Sequence, residues 1–454
     1  KFSNHNKNLL SEKARDFFIV NLPFNPKSKE MLNLKFIQEN PELVIQKLKK
    51  KHFDATEIVE KITELYRTKN QLQNQADQAK AEMNKISGEV GLLMRQGKKE
   101  EAEIAKARTA EIKESIKQFD IEFAAIEEQV YQLQVQLPNL PADIVPEGRH
   151  AADNLTVKRQ GDIPELPENA LPHWELAAKY NLIDFELGVK LTGAGFPVYR
   201  GKGARLQRAL ISFFLDEARE AGYEEIQPPL MVNEASGFGT GQLPDKEGQM
   251  YHATLDNLYL IPTAEVPVTN IYRDVILEAK DLPYKNTAYS ACFRREAGSY
   301  GKDVRGLNRL HQFDKVEIVQ IAHPDKSYEA LDGMVNHVAS LVEKLELPYR
   351  ILRLCGGDMS FTSALTYDFE VFSAAQKMWL EVSSVSNFES FQANRLKLRY
   401  RDEATKKPQL AHTLNGSALA LPRIVAALLE NNQTPEGIKI PKVLVPYCGF
   451  EMID

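Results

Sequence analysis

The feature that most constrains this chain is a long double run of heptad-spaced apolar residues between positions 57 and 137. In the first run, from 58 to 93, the steps alternate between four and three residues, and Lys69 is the polar exception. The second run, from 102 to 137, has the same spacing. Such spacing places one apolar seam along a helix. The connection at 95–99 (RQGKK) is so short that the two helices must lie antiparallel.

A helical hairpin of this kind has several functions open to it. It could serve as a dimerisation coiled coil or as a spacer. However, an intramolecular hairpin satisfies its own seam, which leaves its outer faces free for RNA. Those faces carry many glutamates, together with the cations Arg67, Lys80, Lys85, Lys106, Arg108, Lys113 and Lys117. The segment alone therefore leaves RNA binding, dimerisation and spacing open.

Bulk composition limits the class of protein. The chain has 454 residues, enough for more than one domain, and no apolar run that is long enough to span a bilayer. Its cysteines, Cys292, Cys355 and Cys448, are scattered, which argues against a disulfide framework and a cysteine zinc site and fits a reducing cytosol. The net charge of -6 does not by itself indicate a nucleic-acid partner.

A second informative stretch lies at 288–318, where we predict two strands joined by a glycine-containing loop. Residues two apart share a face of a strand, so Arg294 would share a face with Glu296. On the second strand the shared face would hold Phe313, Lys315 and Glu317. Glycines allow close approach to a ligand, and cations suit phosphate. The loop carries Gly298, Gly301 and Gly306 with Lys302, Arg305 and Arg309. A solvated surface hairpin is the alternative interpretation.

Further elements follow from the same kind of pattern. We predict a helix at 204–221 that ends at Gly222, followed by a strand at 223–229. A strand at 258–267 enters a loop at Thr263-Ala264-Glu265, and two paired strands lie at 367–375 and 378–384. The last prediction is a strand that breaks at Gly416 and is followed by an apolar helix by 423. Each of these elements is ordinary in isolation.

Their order is distinctive. Phe-Arg-x-Glu, a basic loop and then Arg-x-x-x-Phe, at 293–313, resembles motif 2 of the class II aminoacyl-tRNA synthetases. The helix and strand at 204–229 resemble motif 1, and 413–423 resembles motif 3. With Thr-Ala-Glu between motifs 1 and 2 and the helical hairpin in front, residues 31–454 resemble the seryl-tRNA synthetase family of the bacterial type.

The resemblance implies an α+β fold, in which an antiparallel β-sheet core is flanked by helices and preceded by an antiparallel coiled-coil arm. We expect a tRNA-binding arm at 31–140 and a class II catalytic domain at 141–454, with a proline-rich boundary near 138–170. Residues 1–30 are unlike the rest and are expected to be a disordered extension without a structural role. A degenerate targeting peptide is the alternative.

The implied activity is ATP-dependent conversion of L-serine to seryl-adenylate, followed by transfer of serine to the serine tRNA. Transfer to the selenocysteine tRNA is an additional activity by analogy. The resemblance also implies Mg²⁺, no zinc, a cytoplasmic homodimer without a membrane contact, and an arm that grips the long variable arm of the tRNA.

The resemblance also implies a role for individual residues of this chain, by their positions in the motifs. Arg294 would grip the ATP α-phosphate, Glu296 would read adenine and Phe313 would stack on it, while Arg423 would bind the γ-phosphate. The ATP set is completed by Arg295, Glu381, Val382, Ser383 and Ser384, of which Glu381 and Ser384 would hold Mg²⁺. The serine pocket would consist of Thr263, Ala264, Glu265, Glu317, Asn415 and Ser417.

Other interpretations remain: a class II enzyme for another amino acid, a non-catalytic paralogue or carrier-protein ligase, and a coiled-coil scaffold with an inactive domain. Such paralogues typically lose the arm or the catalytic arginines, and this chain has both. The amino-acid dependence of ATP–pyrophosphate exchange separates the enzymatic alternatives.

Overall fold

A computed structural model describes residues 34–245, 248–296 and 305–454. The described residues belong to one compact unit, Met31–Asp454. The predicted extension at 1–30 lies outside the described residues, and so do Gly298, Gly301 and Lys302 of the glycine-containing loop.

The N-terminal part is helical, with elements α1 (Leu34–Glu39), α2 (Pro41–Lys50), α3 (Thr56–Arg95) and α4 (Lys99–Gln134). Helices α3 and α4 pack against each other along their length, and every predicted seam position is buried or half-buried. Gly97 makes the turn between them with a φ of +76°, a conformation that glycine adopts without strain. The predicted antiparallel hairpin is confirmed.

The polar exception in the seam has its own partners. The Lys69 ammonium lies 2.7 Å from Glu127 Oε1 on the facing helix and 4.7 Å from the centroid of the Phe123 ring. A cation in an apolar seam is tolerated when its charge is neutralised and its stem packs on apolar surface. Lys69 therefore fits the seam without interrupting it.

The C-terminal part is built on one eight-stranded sheet. Its strands are β1 (Leu155–Gln160), β4 (Glu224–Glu225), β9 (Tyr284–Phe293), β10 (Gln312–Ala322), β11 (Tyr349–Arg353), β12 (Leu365–Ser373), β13 (Met378–Glu389) and β16 (His412–Ala420). The order of the strands in the sheet is β1-β11-β12-β13-β16-β10-β9-β4, and all pairs are antiparallel except the edge pair β4–β9.

Shorter strands and helices surround this sheet. The strands are β2 (Ile183–Asp184), β3 (Val198–Tyr199), β5 (Met231–Asn233), β6 (His252–Ala253), β7 (Leu258–Leu260), β8 (Ile276–Glu278), β14 (Arg399–Arg401), β15 (Pro408–Leu410), β17 (Ile438–Lys439) and β18 (Met452–Ile453). The helices are α5 (His173–Lys179), α6 (Phe185–Leu191), α7 (Gly201–Glu220), α8 (Glu234–Thr240), α9 (Glu265–Asn270), α10 (Ser327–Lys344), α11 (Phe391–Leu396), α12 (Leu421–Asn431) and α13 (Val445–Cys448). In the described part of the chain, no helix is long and apolar enough to cross a membrane.

The two faces of the sheet have different neighbours. On β10, Val316 and Ile318 point into the main core with helices α7, α10 and α12. Val319 and Ile321 pack on the opposite face against α9 and α11. The predicted alternation along this strand is confirmed, and it leaves the face of Glu317 turned toward α9 and α11 rather than toward the main core.

Three predicted elements differ from the structure. The strand of motif 1 is only Glu224–Glu225, and it lies at the sheet edge. The strand that begins at Leu258 stops at Leu260, and helix α9 starts at Glu265. Pro267 of α9 lies in the first turn of the helix, where the backbone N–H has no partner within the helix and is not needed. Strand β16 does not break at Gly416 but continues to Ala420. Glycine fits at this position because a Cβ would lie only 3.2 Å from the Val385 methyl groups of the next strand.

Candidate active site

A cleft of about 830 Å³ opens over strands β9, β10, β13 and β16 and the start of helix α12. The structure brings together most of the predicted site residues in its lining. These are Thr263, Glu265, Arg294, Glu296, Phe313, Glu317, Glu381, Val382, Ser383, Ser384, Asn415, Ser417 and Arg423. Two predicted residues lie elsewhere: Ala264 is buried in the core beneath the cleft, and the Arg295 guanidinium lies 5.7 Å from the Tyr251 ring.

One group of lining residues contains Arg294 and Phe313. Strand β9 ends at Phe293, one residue before Arg294, whose N–H continues the ladder by donating to His311 O at 2.9 Å. The guanidinium carbon of Arg294 lies 5.3 Å from the Phe313 ring centroid, which is within cation–π range. The ring and the planar cation therefore form one platform.

Glu296 sits beside this platform in an unusual backbone conformation, with a φ of +48°. Its carboxylate lies 2.6 Å from Nη1 of Arg309, which also lines the cleft. Arg309 is the arginine of the Arg-x-x-x-Phe pattern, but the sequence alone did not assign it to the ATP site. Its pairing with Glu296 shows that the two ends of the glycine-containing loop meet.

Arg423 enters from the first turn of α12. Its Nη1 donates to Glu381 O at 2.8 Å, and its Nε donates to Asn308 O at 3.0 Å. These bonds connect three elements, since Glu381 belongs to β13 and Asn308 precedes β10. The orientation of the Arg423 fork is thus determined by backbone carbonyls from both neighbouring segments.

A second group of lining residues is centred on Glu317, whose side chain is 1% exposed. It adjoins Arg294, whose Nε donates to Pro262 O at 3.4 Å, one residue before Thr263. Glu317 Oε2 accepts from Thr263 Oγ1 at 3.2 Å, and Glu317 Oε1 accepts from Asn415 Nδ2 at 3.1 Å. The Lys315 ammonium lies 2.5 Å from Oε2. Ser417 is the direct cross-strand neighbour of Glu317. Lys315 was predicted to share the face of Glu317, but its role as the partner of that carboxylate was missed.

Glu265 provides a second buried carboxylate in the same group. Gln392 Nε2 donates to its Oε1 at 2.6 Å, and Gln392 Oε1 in turn accepts from Thr413 Oγ1 at 2.7 Å. Burial, and after it the nearby charge of Glu317, raise the pKa of Glu265 to about 7. A ligand ammonium beside these two carboxylates would relieve both effects. No sequence signal had pointed to Gln392.

Oxygen atoms that could bind a cation lie on β12 and β13, two interior strands of the sheet. Phe369 pairs with Ser383 and Glu370 with Glu381, so Val382 is an extra residue in a bulge. The bulge brings Glu381 and Ser384, three residues apart, to the same cleft. Ser384 Oγ donates to Asp368 Oδ1 at 2.5 Å. Burial, and then the charge of Glu381, raises the pKa of Asp368 well above its ordinary value.

Carboxylate and hydroxyl oxygens of this kind fit Mg²⁺, which prefers hard oxygen ligands and keeps several positions for water and phosphate. Within residues 34–245, 248–296 and 305–454, no group of three or more histidine, cysteine, aspartate or glutamate side chains could hold a metal ion.

Comparison with known proteins gives matches over both halves of the chain. Residues 31–141 match the seryl-tRNA synthetase N-terminal domain. Residues 251–432 match the tRNA synthetase class II core domain (G, H, P, S and T). The serine–tRNA ligase of Salinibacter ruber is 52% identical over 93% of this chain and 99% of its own length.

Solved structures of seryl-tRNA synthetases are also similar to this chain over most of its length. The seryl-tRNA synthetase from Pyrococcus horikoshii complexed with ATP superposes with a TM-score of 0.89 at 33% identity, covering 93% of this chain and 99% of that one. The cytoplasmic serine–tRNA ligase from Naegleria fowleri in complex with AMP gives a TM-score of 0.85 at 25% identity, covering 94% and 99% of the two chains.

Proposed function

This chain belongs to the seryl-tRNA synthetase family of class II aminoacyl-tRNA synthetases, and we propose that the cleft described above carries out that family's reaction. The predicted family, fold class and enzymatic activity are confirmed by the matches in both halves of the chain. The observation that supports the proposed site best is that one cleft is lined both by the cations Arg294 and Arg423 and by two buried carboxylates, Glu265 and Glu317.

In the first step, a carboxylate oxygen of serine bonds to the α-phosphorus of ATP while the bond from that phosphorus to the bridging oxygen breaks and pyrophosphate leaves. The nucleophile is already an anion, so no general base is needed. Such transfer depends mainly on positioning and charge stabilisation. Arg294 suits the α-phosphate because a planar guanidinium can donate two parallel hydrogen bonds.

The nucleotide would extend from Phe313 toward Arg423. Phe313 presents a ring face for adenine, and the Glu296 carboxylate can accept from the adenine amino group. Arg309 and Arg423 would neutralise the β- and γ-phosphates. Glu381 and Ser384 would hold Mg²⁺, with Asp368 bonded to Ser384, and a bound ion would lower the charge repulsion between the phosphates and the incoming carboxylate.

The serine pocket supports recognition of both polar groups of the amino acid. The ammonium would lie beside Glu265 and Thr263, where it would offset the buried negative charge. The hydroxyl would donate to Glu317 near Ser417 and Asn415. A site built around a substrate hydroxyl rejects the analogue without it by a factor on the order of 10⁴, because its own polar groups are then left unpaired.

Transfer would follow when the terminal ribose hydroxyl of the tRNA attacks the adenylate carbonyl and AMP leaves. We infer that the α3–α4 hairpin binds the tRNA, since its seam is satisfied internally. Its exposed cations Lys106, Arg108 and Lys117 pair with glutamates. Within the described ranges Arg67, Lys80, Lys85 and Lys113 have no salt bridge, which leaves them for phosphates. Transfer to the selenocysteine tRNA stays a prediction.

A homodimer is inferred from the resemblance of residues 204–229 to motif 1, which builds the dimer interface in the family. Val189 and Leu191 of helix α6 are 57% and 68% exposed, respectively. Residues two apart do not share a helix face, so these are separate exposed side chains, and the inference rests on the resemblance. A cytoplasmic location remains a prediction.

The proposed function is tested by ATP–pyrophosphate exchange with serine, alanine, threonine, glycine and cysteine, followed by charging of serine tRNA. We expect exchange with serine alone. Equal exchange with alanine would contradict the proposed role of Glu317, and absence of serine-dependent exchange in the wild type would refute the proposed reaction.

A further inference from the structure

A fully buried polar pair lies beneath the part of the cleft that holds Arg423. His173, at the start of α5, and Glu430, in the last turn of α12, both have side chains that are 0% exposed. His173 Nδ1 lies 2.7 Å from Glu430 Oε1, and the His173 backbone N–H donates to the same oxygen at 2.9 Å. Neither side chain lines the cleft, so the reaction proposed above does not use them directly.

The other ring nitrogen of His173 contacts the segment that precedes β10. The Leu307 N–H donates to Nε2 at 2.8 Å, so Nε2 carries no proton and Nδ1 donates to Glu430. Gly306 lies so close to the ring that a Cβ there would be 2.3 Å from Nε2, and its φ is +66°. The His173 ring therefore restricts the backbone conformation at 306 and 307, because it accepts from Leu307 and leaves no space for a side chain at Gly306.

The Glu430 carboxylate has further donors. Gln376 Nε2 donates to Oε1 at 2.9 Å, and Ser373 Oγ donates to Oε2. Gln376 also reaches the cleft side, because its Oε1 accepts from Asn308 Nδ2 at 2.8 Å. Burying a carboxylate is costly unless donors surround it, so this set of donors accounts for its stability away from water.

The pair is connected to the proposed phosphate-binding arginines at two points. Asn308, which follows Leu307, accepts from Arg423 Nε through its carbonyl at 3.0 Å. Glu430 also lies on α12, the helix whose first turn carries Arg423. Arg309 follows Asn308 directly and pairs with Glu296. A shift of Leu307 away from His173 would therefore move the groups that orient both Arg309 and Arg423.

We propose that His173 and Glu430 are positioning residues for adenylate formation. They hold the backbone of Leu307 and Asn308 so that the Asn308 carbonyl directs Arg423 toward the phosphates of ATP. His173 transfers no proton in this role and acts only as an acceptor for Leu307 and a donor to Glu430. The inference rests on the proposed function, because it concerns the arginines of that same site.

A matched pair of variants tests the proposal. In H173Q the side-chain amide reaches the position of Nε2, so its oxygen can still accept from Leu307. In H173N the amide reaches only the position of Nδ1, so it can donate to Glu430 but leaves Leu307 without an acceptor. We expect H173N to lower kcat for serine-dependent pyrophosphate exchange by about 10- to 100-fold and to raise the KM for ATP, because a misplacement of about 1 Å can cost that much. H173Q should retain most of the activity, and the KM for serine should change little in either variant.

Thermal melting of both variants provides the control for a purely structural role. Equal losses in H173Q and H173N, or losses that follow Tm and raise the KM for serine and ATP together, would overturn the proposal. Gln376→Ala removes the half-buried link to Asn308 and serves if the histidine variants do not fold. It should raise the KM for ATP alone, and an unchanged KM for ATP would count against the proposal. A wild-type enzyme without serine-dependent exchange would instead refute the proposed function.

Discussion

Replacement of Glu317 by glutamine is the sharpest test of how the serine pocket is built. Glu317 and Lys315 are 1% and 6% exposed, with Oε2 and Nζ 2.5 Å apart. Within the described residues, the Lys315 ammonium has no other salt bridge or hydrogen bond. The Glu317→Gln variant leaves this cation buried and unpaired, and removal of one member of a buried pair costs about 3–5 kcal/mol. We expect the free energy of unfolding to fall by about that amount.

The double variant Glu317→Gln with Lys315→Met separates stability from chemistry. Methionine removes the buried charge while it keeps a similar length of apolar stem, so most of the lost stability should return. The acceptor for the serine hydroxyl is still altered, so kcat/KM for serine in pyrophosphate exchange should stay lower by a factor on the order of 10³ to 10⁴.

The measurements are urea unfolding for stability and pyrophosphate exchange for activity, with Lys315→Met alone as the matched control. If Glu317→Gln unfolded within about 1 kcal/mol of the wild type, the Lys315–Glu317 pair would not be the compensated buried charge described above. If the double variant regained wild-type kcat/KM for serine, Glu317 would not be the residue that recognises the substrate hydroxyl.

Three further predictions concern other parts of the molecule. Arg294→Ala should lower pyrophosphate exchange by about 10²- to 10³-fold, as expected for loss of a charge aimed at the transition state, and near-wild-type exchange would contradict the mechanism. Burial raises the pKa of Glu265 to about 7, so this carboxyl becomes protonated as the pH falls through that value and loses its attraction for the serine ammonium. The value of kcat/KM for serine should therefore decrease below about pH 7. A kcat/KM for serine that did not change between about pH 5.5 and 8 would refute the role of Glu265. Deletion of residues 62–134 should leave serine-dependent exchange close to that of the full chain. It should lower tRNA charging by about 100-fold, which is equivalent to about 3 kcal/mol of binding free energy. Normal charging by the shortened chain would show that the hairpin does not bind tRNA.

The helical hairpin was predictable from sequence almost completely. Its seam is a property of neighbouring residues, since positions three and four apart share a helix face whatever the rest of the chain does. Even Lys69 fell on that seam, although its partners Glu127 and Phe123 came only from the structure. The boundaries of the helices at Arg95 and Lys99 follow from the glycine between them.

The sheet was less predictable where strands depart from regularity. Glycine in a strand suggested a break at Gly416, but its lack of a side chain instead makes room for Val385 on the neighbouring strand. The bulge at Val382 could not be read from sequence either, because it is defined by the register with β12. That bulge is what brings Glu381 and Ser384 to one side.

By itself, then, the sequence determined the hairpin and the order of the three motifs, because periodicity and motif order depend on nearby residues. The family resemblance of those motifs supplied the thirteen predicted residues that line the cleft. Only the tertiary structure decided how those residues are held. Glu317 meets Asn415 across 98 residues of chain, and His173 meets Glu430 across 257. Contacts of that separation depend on strand register and helix packing, which no local pattern encodes.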